Sequence, residues 1–227
     1  MISTTPVPLT PKLSKGFLQM KNCLFGSNKD PTTSTIHSIG TIGYSILSYL
    51  VYKSRGEYQT TIDLQELISS LEITKRTIRK YLPELQQNNL IICNKDLSTI
   101  VMKDRLSIGL IPYYQLKGGF EKIPKSIYID YYDTLTPIGW TILCFLAKMQ
   151  NINFGNKGSQ GFTSISEERI GEFLGIHKNT VSTHISQIKK LKLIKITKGK
   201  NIISGYDEYG NPIKTYTPNQ YHVMFKD

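Results

Sequence analysis

Ile73-Thr74-Lys75-Arg76-Thr77-Ile78 is echoed, 103 residues further on, by Ile176-His177-Lys178-Asn179-Thr180-Val181. Each run steps from an apolar residue through a polar one into a hydrophilic turn, and returns to a β-branched apolar residue. Working outward, Gly16-Phe17-Leu18-Gln19-Met20-Lys21 answers Gly119-Phe120-Glu121-Lys122-Ile123-Pro124 at the same offset of 103. Ile42-Gly43-Tyr44-Ser45-Ile46-Leu47-Ser48-Tyr49-Leu50 answers Ile138-Gly139-Trp140-Thr141-Ile142-Leu143-Cys144-Phe145-Leu146 at 96, and Asn89-Leu90-Ile91 answers Lys192-Leu193-Ile194 at 103 again. Matching blocks in one order, with length changes confined to Gly-, Ser- and Asn-rich connectors, mean that one unit occurs twice. The expected division is a disordered arm over 1–15, a first unit over 16–105, a linker over 106–119 and a second unit over 120–227. Lys117-Gly118-Gly119 marks flexible chain in that linker, and Pro6, Pro8 and Pro11 mark the arm, read as a floppy terminus before a minor-groove arm.

Within the first unit, Ile39, Ile42, Ile46, Leu47 and Leu50 recur at helical spacing and predict a helix over 38–53. Thr60-Thr61-Ile62 is β-prone. Asp63 offers an N-cap for a second helix carrying Leu64, Leu67, Ile68 and Leu71, and Thr74 for a third with Ile78, Tyr81, Leu82 and Leu85 inward. Leu90-Ile91-Ile92-Cys93 and Ile100-Val101-Met102 read as strands joined by a turn over 94–98. The second unit repeats the pattern: Thr136 caps a helix through Met149, Ser166 caps the next, and Gly175 ends it. A third helix over 178–191 turns Val181, Ile185 and Ile188 inward. A larger excursion then runs from Leu193–Thr197 to a return strand at Tyr221–Phe225, with Val223-Met224 set against Val101-Met102. Helix, short strand, helix-turn-helix and hairpin is the winged-helix order, so the expected fold is α+β, mostly helical, with two tandem winged helix-turn-helix domains.

A net charge of +11 and a pI near 9.4 favour a polyanionic partner, because each neutralised phosphate releases condensed counterions. Cys23, Cys93 and Cys144 lie far apart without CxxC spacing and read as small buried hydrophobes in a reducing, cytoplasmic setting. No apolar run approaches the ~18 residues that span a bilayer.

In a helix-turn-helix, the third helix offers its outward face to the major groove. With Ile78 inward, Arg76, Arg79, Lys80, Pro83 and Gln87 point outward. Arg76 and Arg79 are the expected guanine readers, since a guanidinium bonds O6 and N7 together; Lys75 and Lys80 are expected on phosphates. Pro83 forfeits a backbone hydrogen bond and is expected to kink or end the helix. The second face is Asn179, Ser182, Thr183, Ser186 and Lys190, beside Lys178. There Asn179 suits adenine and Thr183 a thymine methyl. Lys198 and Lys200 on the long wing, with Lys214 on its return, are expected on phosphates or in the minor groove. For every one of these the competing account is a solvated helix face or solubility.

Gly155-Asn156-Lys157-Gly158-Ser159-Gln160-Gly161 lacks the GxxxxGK[ST] spacing and the strand before it. His37, His177, His184 and His222 are scattered, and the acidic residues form no magnesium-binding arrangement. The sequence therefore predicts no enzyme, no metal and no cofactor.

Phe120-Glu121-Lys122-Ile123-Pro124-Lys125, Leu135-Thr136-Pro137 and Ile176-His177-Lys178-Asn179-Thr180-Val181 together resemble the winged-helix domains of plasmid and phage replication-initiation proteins. Those domains leave the recognition helix through Leu and Gly-Leu-Ile; here Leu191-Lys192-Leu193-Ile194 and Asn88-Asn89-Leu90-Ile91 lack the Gly. The resemblance implies binding to repeated origin sites on double-stranded DNA and recruitment of host replication proteins; a homodimer is a separate expectation for its partners. The helix-turn-helix is shared with transcription factors, so a repressor on an operator and a DNA-coating partition protein stand as alternatives.

Overall fold

The computed structural model describes residues 16–26, 34–97, 99–154 and 161–225; the expected arm and nearly all of the 155–161 connector lie outside them. The chain is an α+β protein, about half helical, with small antiparallel sheets. It begins with β1 (Phe17–Lys21), a 3-10 turn, α1 (Thr35–Lys53), β2 (Gln59–Asp63), α2 (Leu64–Leu71) and α3 (Lys75–Gln87). β3 (Ile92–Cys93), β4 (Arg105–Gly109) and the short α4 (Ile111–Gln115) follow. Then β5 (Phe120–Pro124), α5 (Lys125–Phe154), β6 (Thr163–Ser164), α6 (Glu167–Leu174) and α7 (Lys178–Lys190) repeat the order. β7 (Ile194–Thr197), β8 (Asn201–Tyr206), β9 (Pro212–Tyr216) and β10 (Gln220–Val223) close the chain. No helix among the described residues is long and apolar enough to cross a membrane.

The duplication is written into the backbone. The two three-stranded sheets run β2-β4-β3 and β6-β10-β7, so the third strand sits between the first and second in both. Left-handed residues recur at equivalent positions. Glu72 (φ 50°) and Gly175 (φ 66°) end α2 and α6, while Asn89 (φ 53°) and Lys192 (φ 60°) follow α3 and α7. The last pair occupies the place where the resembling domains carry Gly. Gly40 (φ 61°, ψ 178°) and Thr136 (φ 61°, ψ 168°) break α1 and α5 at one position of the repeat. Beneath each third helix a glycine makes room for a ring: Gly43 lies under Tyr81 and Gly139 under His184.

Several expectations need correction. Thr136 is not a cap in extended conformation; it holds the left-handed break, and Pro137 begins the next helical run, where a missing N–H costs nothing. Asp63 precedes α2 but its carboxylate pairs with Arg105 at 3.3 Å and makes no cap hydrogen bond. Thr74 and Ser166 do cap, accepting from Thr77 N and Arg169 N at 3.1 Å. The strand that returns after β3 is β4 at 105–109 and not Ile100–Met102, which falls in the connection between them, and Val223 corresponds to Leu110, immediately after β4. The supposed linker over 106–119 is structural. Leu106, Ile108, Leu110 and Tyr113 are fully buried, because β4 is the central strand of the first sheet. Of the cysteines only Cys144 is buried, and Cys23 and Cys93 are half-buried; all three are free thiols.

The two units share one core. β1 pairs antiparallel with β5, and the ladder is centred on Gln19↔Lys122, which are equivalent residues of the repeat. An antiparallel ladder centred on equivalents has a local dyad. The helices behind it obey that dyad: Trp140 Nε1 donates to Ser48 Oγ at 3.0 Å, and their repeat equivalents Tyr44 and Cys144 lie side by side. Phe25 bridges the seam, 5.1 Å from the Tyr44 ring and 5.5 Å from Phe145. Burial in this seam pushes the Cys144 thiol and the Tyr44 hydroxyl well above their ordinary pKa values.

Candidate nucleic-acid interface

On α3 the inward face is Ile78, Leu82 and Leu85, all fully buried, with Tyr81 at the edge. That burial fixes which side of the helix meets solvent. Arg76 and Lys80 stand exposed there, and Lys80 Nζ rests 4.8 Å from the Tyr81 ring centroid. Lys75 is half-buried and turns toward Asp104, whose carboxyl is held below the usual range first by Lys95 Nζ at 2.5 Å, then by Val101 N, with Lys75 adding to the field. Pro83 neither kinks nor ends α3, which continues to Gln87.

Arg79 is exposed as well, and its Nε and Nη2 both donate to Ile100 O, at 3.2 and 2.6 Å, while the N–H groups at the Nη1 end stay turned away from that carbonyl. Ile100 is buried, and the arginine ties its carbonyl to α3. Arg76 and Arg79 both stand on the exposed side of the helix.

On α7, Val181, Ile185 and Ile188 are buried and His177 takes the cap position, its Nδ1 accepting from Asn179 N at 3.2 Å. Asn179, Thr183 and Ser186 are exposed and Ser182 is half-buried. Thr183 Oγ1 donates to Asn179 O at 3.0 Å and Ser186 Oγ to Ser182 O at 2.9 Å. Their hydroxyl protons are therefore committed to the helix, leaving oxygen lone pairs and the Thr183 methyl for a ligand. Lys178 is exposed beside a groove shared with Glu167, Glu168 and Tyr216, so acids compete for it. Lys190, Lys198 and Lys200 are exposed. His184 is half-buried against Gly139, and desolvation pulls its pKa below the ordinary value while Gln187 opposes the shift.

Sequence reasoning missed two features. One is the Arg79 strap, since nothing in a helical pattern says that an outward arginine will find a carbonyl 21 residues away. The other is the β8–β9 ribbon, treated as a turn-rich excursion. Its signal was present: two β-prone runs flank Asp207-Glu208-Tyr209-Gly210-Asn211. A scan of the chain against protein-family models finds no match, and neither does a search of the curated proteins.

Proposed function

We propose that this chain is a sequence-specific double-stranded DNA-binding protein of two tandem winged-helix units, acting as an initiator of plasmid or phage replication at repeated origin sites. One observation carries the DNA reading. Two equivalent, capped, exposed helices recur on one shared core, one with a cationic face and one with a neutral hydrogen-bonding face. Arg76 suits guanine, Asn179 suits adenine, and Lys75, Lys80, Lys178, Lys190, Lys198 and Lys200 suit phosphates. The local dyad between the units supports half-sites in inverted orientation, about one helical turn apart. The replication role rests on the resemblance.

Footprinting of the full chain on DNA flanking its gene tests the first claim: two protected grooves about one turn apart are expected. Uniform, salt-labile binding without a footprint would reduce the protein to a nonspecific coat. A plasmid carrying the gene and its flanking repeats should replicate alone. Failure to replicate, together with repression of an adjoining promoter, would favour the operator-binding alternative.

A further inference from the structure

β8 and β9 pair with each other and form a sheet of their own, separate from β6-β10-β7. Half of the large apolar side chains that stand exposed among the described residues sit on this ribbon: Ile202, Ile203, Tyr206, Tyr209, Ile213 and Tyr216. The register places Ile203, Tyr206 and Tyr216 on one face together with Lys214, and Ile202 and Ile213 on the other. A lone two-stranded hairpin is marginal in water, and an apolar patch this dense marks a contact surface.

The tip is preformed. The Asp207 carboxylate accepts from Tyr209 N at 2.9 Å, Asn211 N at 2.7 Å and Asn211 Nδ2 at 3.0 Å, which holds its pKa below the usual range. Charge is polarised along the ribbon, with Asp207 and Glu208 at the tip, Lys214 midway opposite Ile203, and Lys198 and Lys200 at the stem. An acidic tip opposes a polyanion, and isoleucines contribute nothing to phosphate contact. A second copy laid antiparallel, face to face, resolves both: each acidic tip meets the other's basic stem, and the Ile203–Tyr206–Tyr216 faces bury one another. The arrangement is isologous, as closed dimers require.

We infer that the β8–β9 ribbon is a self-association element whose occupant is the ribbon of another copy of this chain. A six-residue strand spans about 20 Å, and one ribbon face falls short of the ~800 Å² per partner of a standard stable interface. The contact is accordingly reversible and gains effect when neighbouring sites hold two copies side by side. It does not depend on the DNA reading, because it is measured on free protein.

Sedimentation of the full chain over a concentration series should show a reversible rise in mass toward the dimer. Ile203→Ser with Tyr206→Ser should weaken association about tenfold or more, as loss of central apolar anchors does, with an unchanged circular dichroism spectrum. Glu208→Lys and Lys200→Glu should each weaken it, and the two together should restore it. A mass that stays monomeric up to the solubility limit overturns the inference. So does a double reversal that fails to restore association, or apolar variants that lose DNA affinity at an isolated site while the mass is unchanged.

Discussion

Arg76 and Arg79 lie one turn apart on α3 and both stand exposed, and Arg79 in addition donates to Ile100 O through Nε and Nη2. Arg76→Ala should cost roughly 1–3 kcal/mol on the specific site and relax base preference there, with no change in melting temperature. An equal loss on random DNA would make Arg76 a phosphate contact. Arg79→Ala should instead lower stability by about 1 kcal/mol by freeing the loop, and Arg79→Lys should not restore it, because a single ammonium cannot match the two-donor fork. A second residue-scale prediction concerns Thr136. Its φ of 61° with ψ of 168° is a region essentially reserved for glycine, which stands at the equivalent Gly40. Thr136→Gly should therefore raise stability by about 1 kcal/mol in urea denaturation. A fall would mean that the threonine side chain contributes more than its backbone strain removes.

At the scale of elements, α2, α3, α6 and α7 were legible because local pattern and burial agree: apolar spacing, Thr74 and Ser166 caps and Gly175 all point the same way. The strands after the third helix were less so. β4 reads Arg105-Leu106-Ser107-Ile108-Gly109, a clear alternation, but Ile100-Val101-Met102 is the more apolar run and drew the assignment. Ile100 is buried as a plug under Arg79 and not as a strand, which only tertiary contact decides. The α5–α7 packing also carries a pH dependence. His184 faces Gly139, and burial lowers its pKa, so the unfolded chain binds the proton more readily than the folded one. Its contribution is thus fully present above the ordinary value of about 6.5 and declines as pH falls through it. The first unit places Tyr81 over Gly43 at the same position, so His184→Tyr should be accommodated. Urea midpoints at pH 8 and pH 5.5 should differ less for that variant than for the parent. An identical pH slope would remove His184 as its source.

For the whole molecule, the expected picture of two domains on a flexible linker gives way to two units sharing a seam. Trp140 is fully buried there, donates to Ser48 of the other unit, and stacks edge-on against Tyr128 at 5.0 Å, which in turn lies 5.0 Å from Tyr52. The ladder of β1 with β5 lies at the same seam, and β4 ties residues once taken for linker into the first sheet. Sequence periodicity could show that the unit is repeated but not that the copies face each other, because the contacts join residues far apart in the chain, 92 apart for Trp140 and Ser48. Trp140 is the chain's single tryptophan, so its fluorescence reports the seam while far-ultraviolet circular dichroism reports all the helices. If the seam holds the units as one cooperative body, the two signals should trace one coincident transition in urea, with Trp140→Ala shifting the dichroism curve as a whole by about 3–5 kcal/mol. A second dichroism transition that leaves the fluorescence unmoved would mean that the units fold separately. The seam would then be a docking contact between independent domains, and the spacing of α3 and α7 would no longer be set by the core.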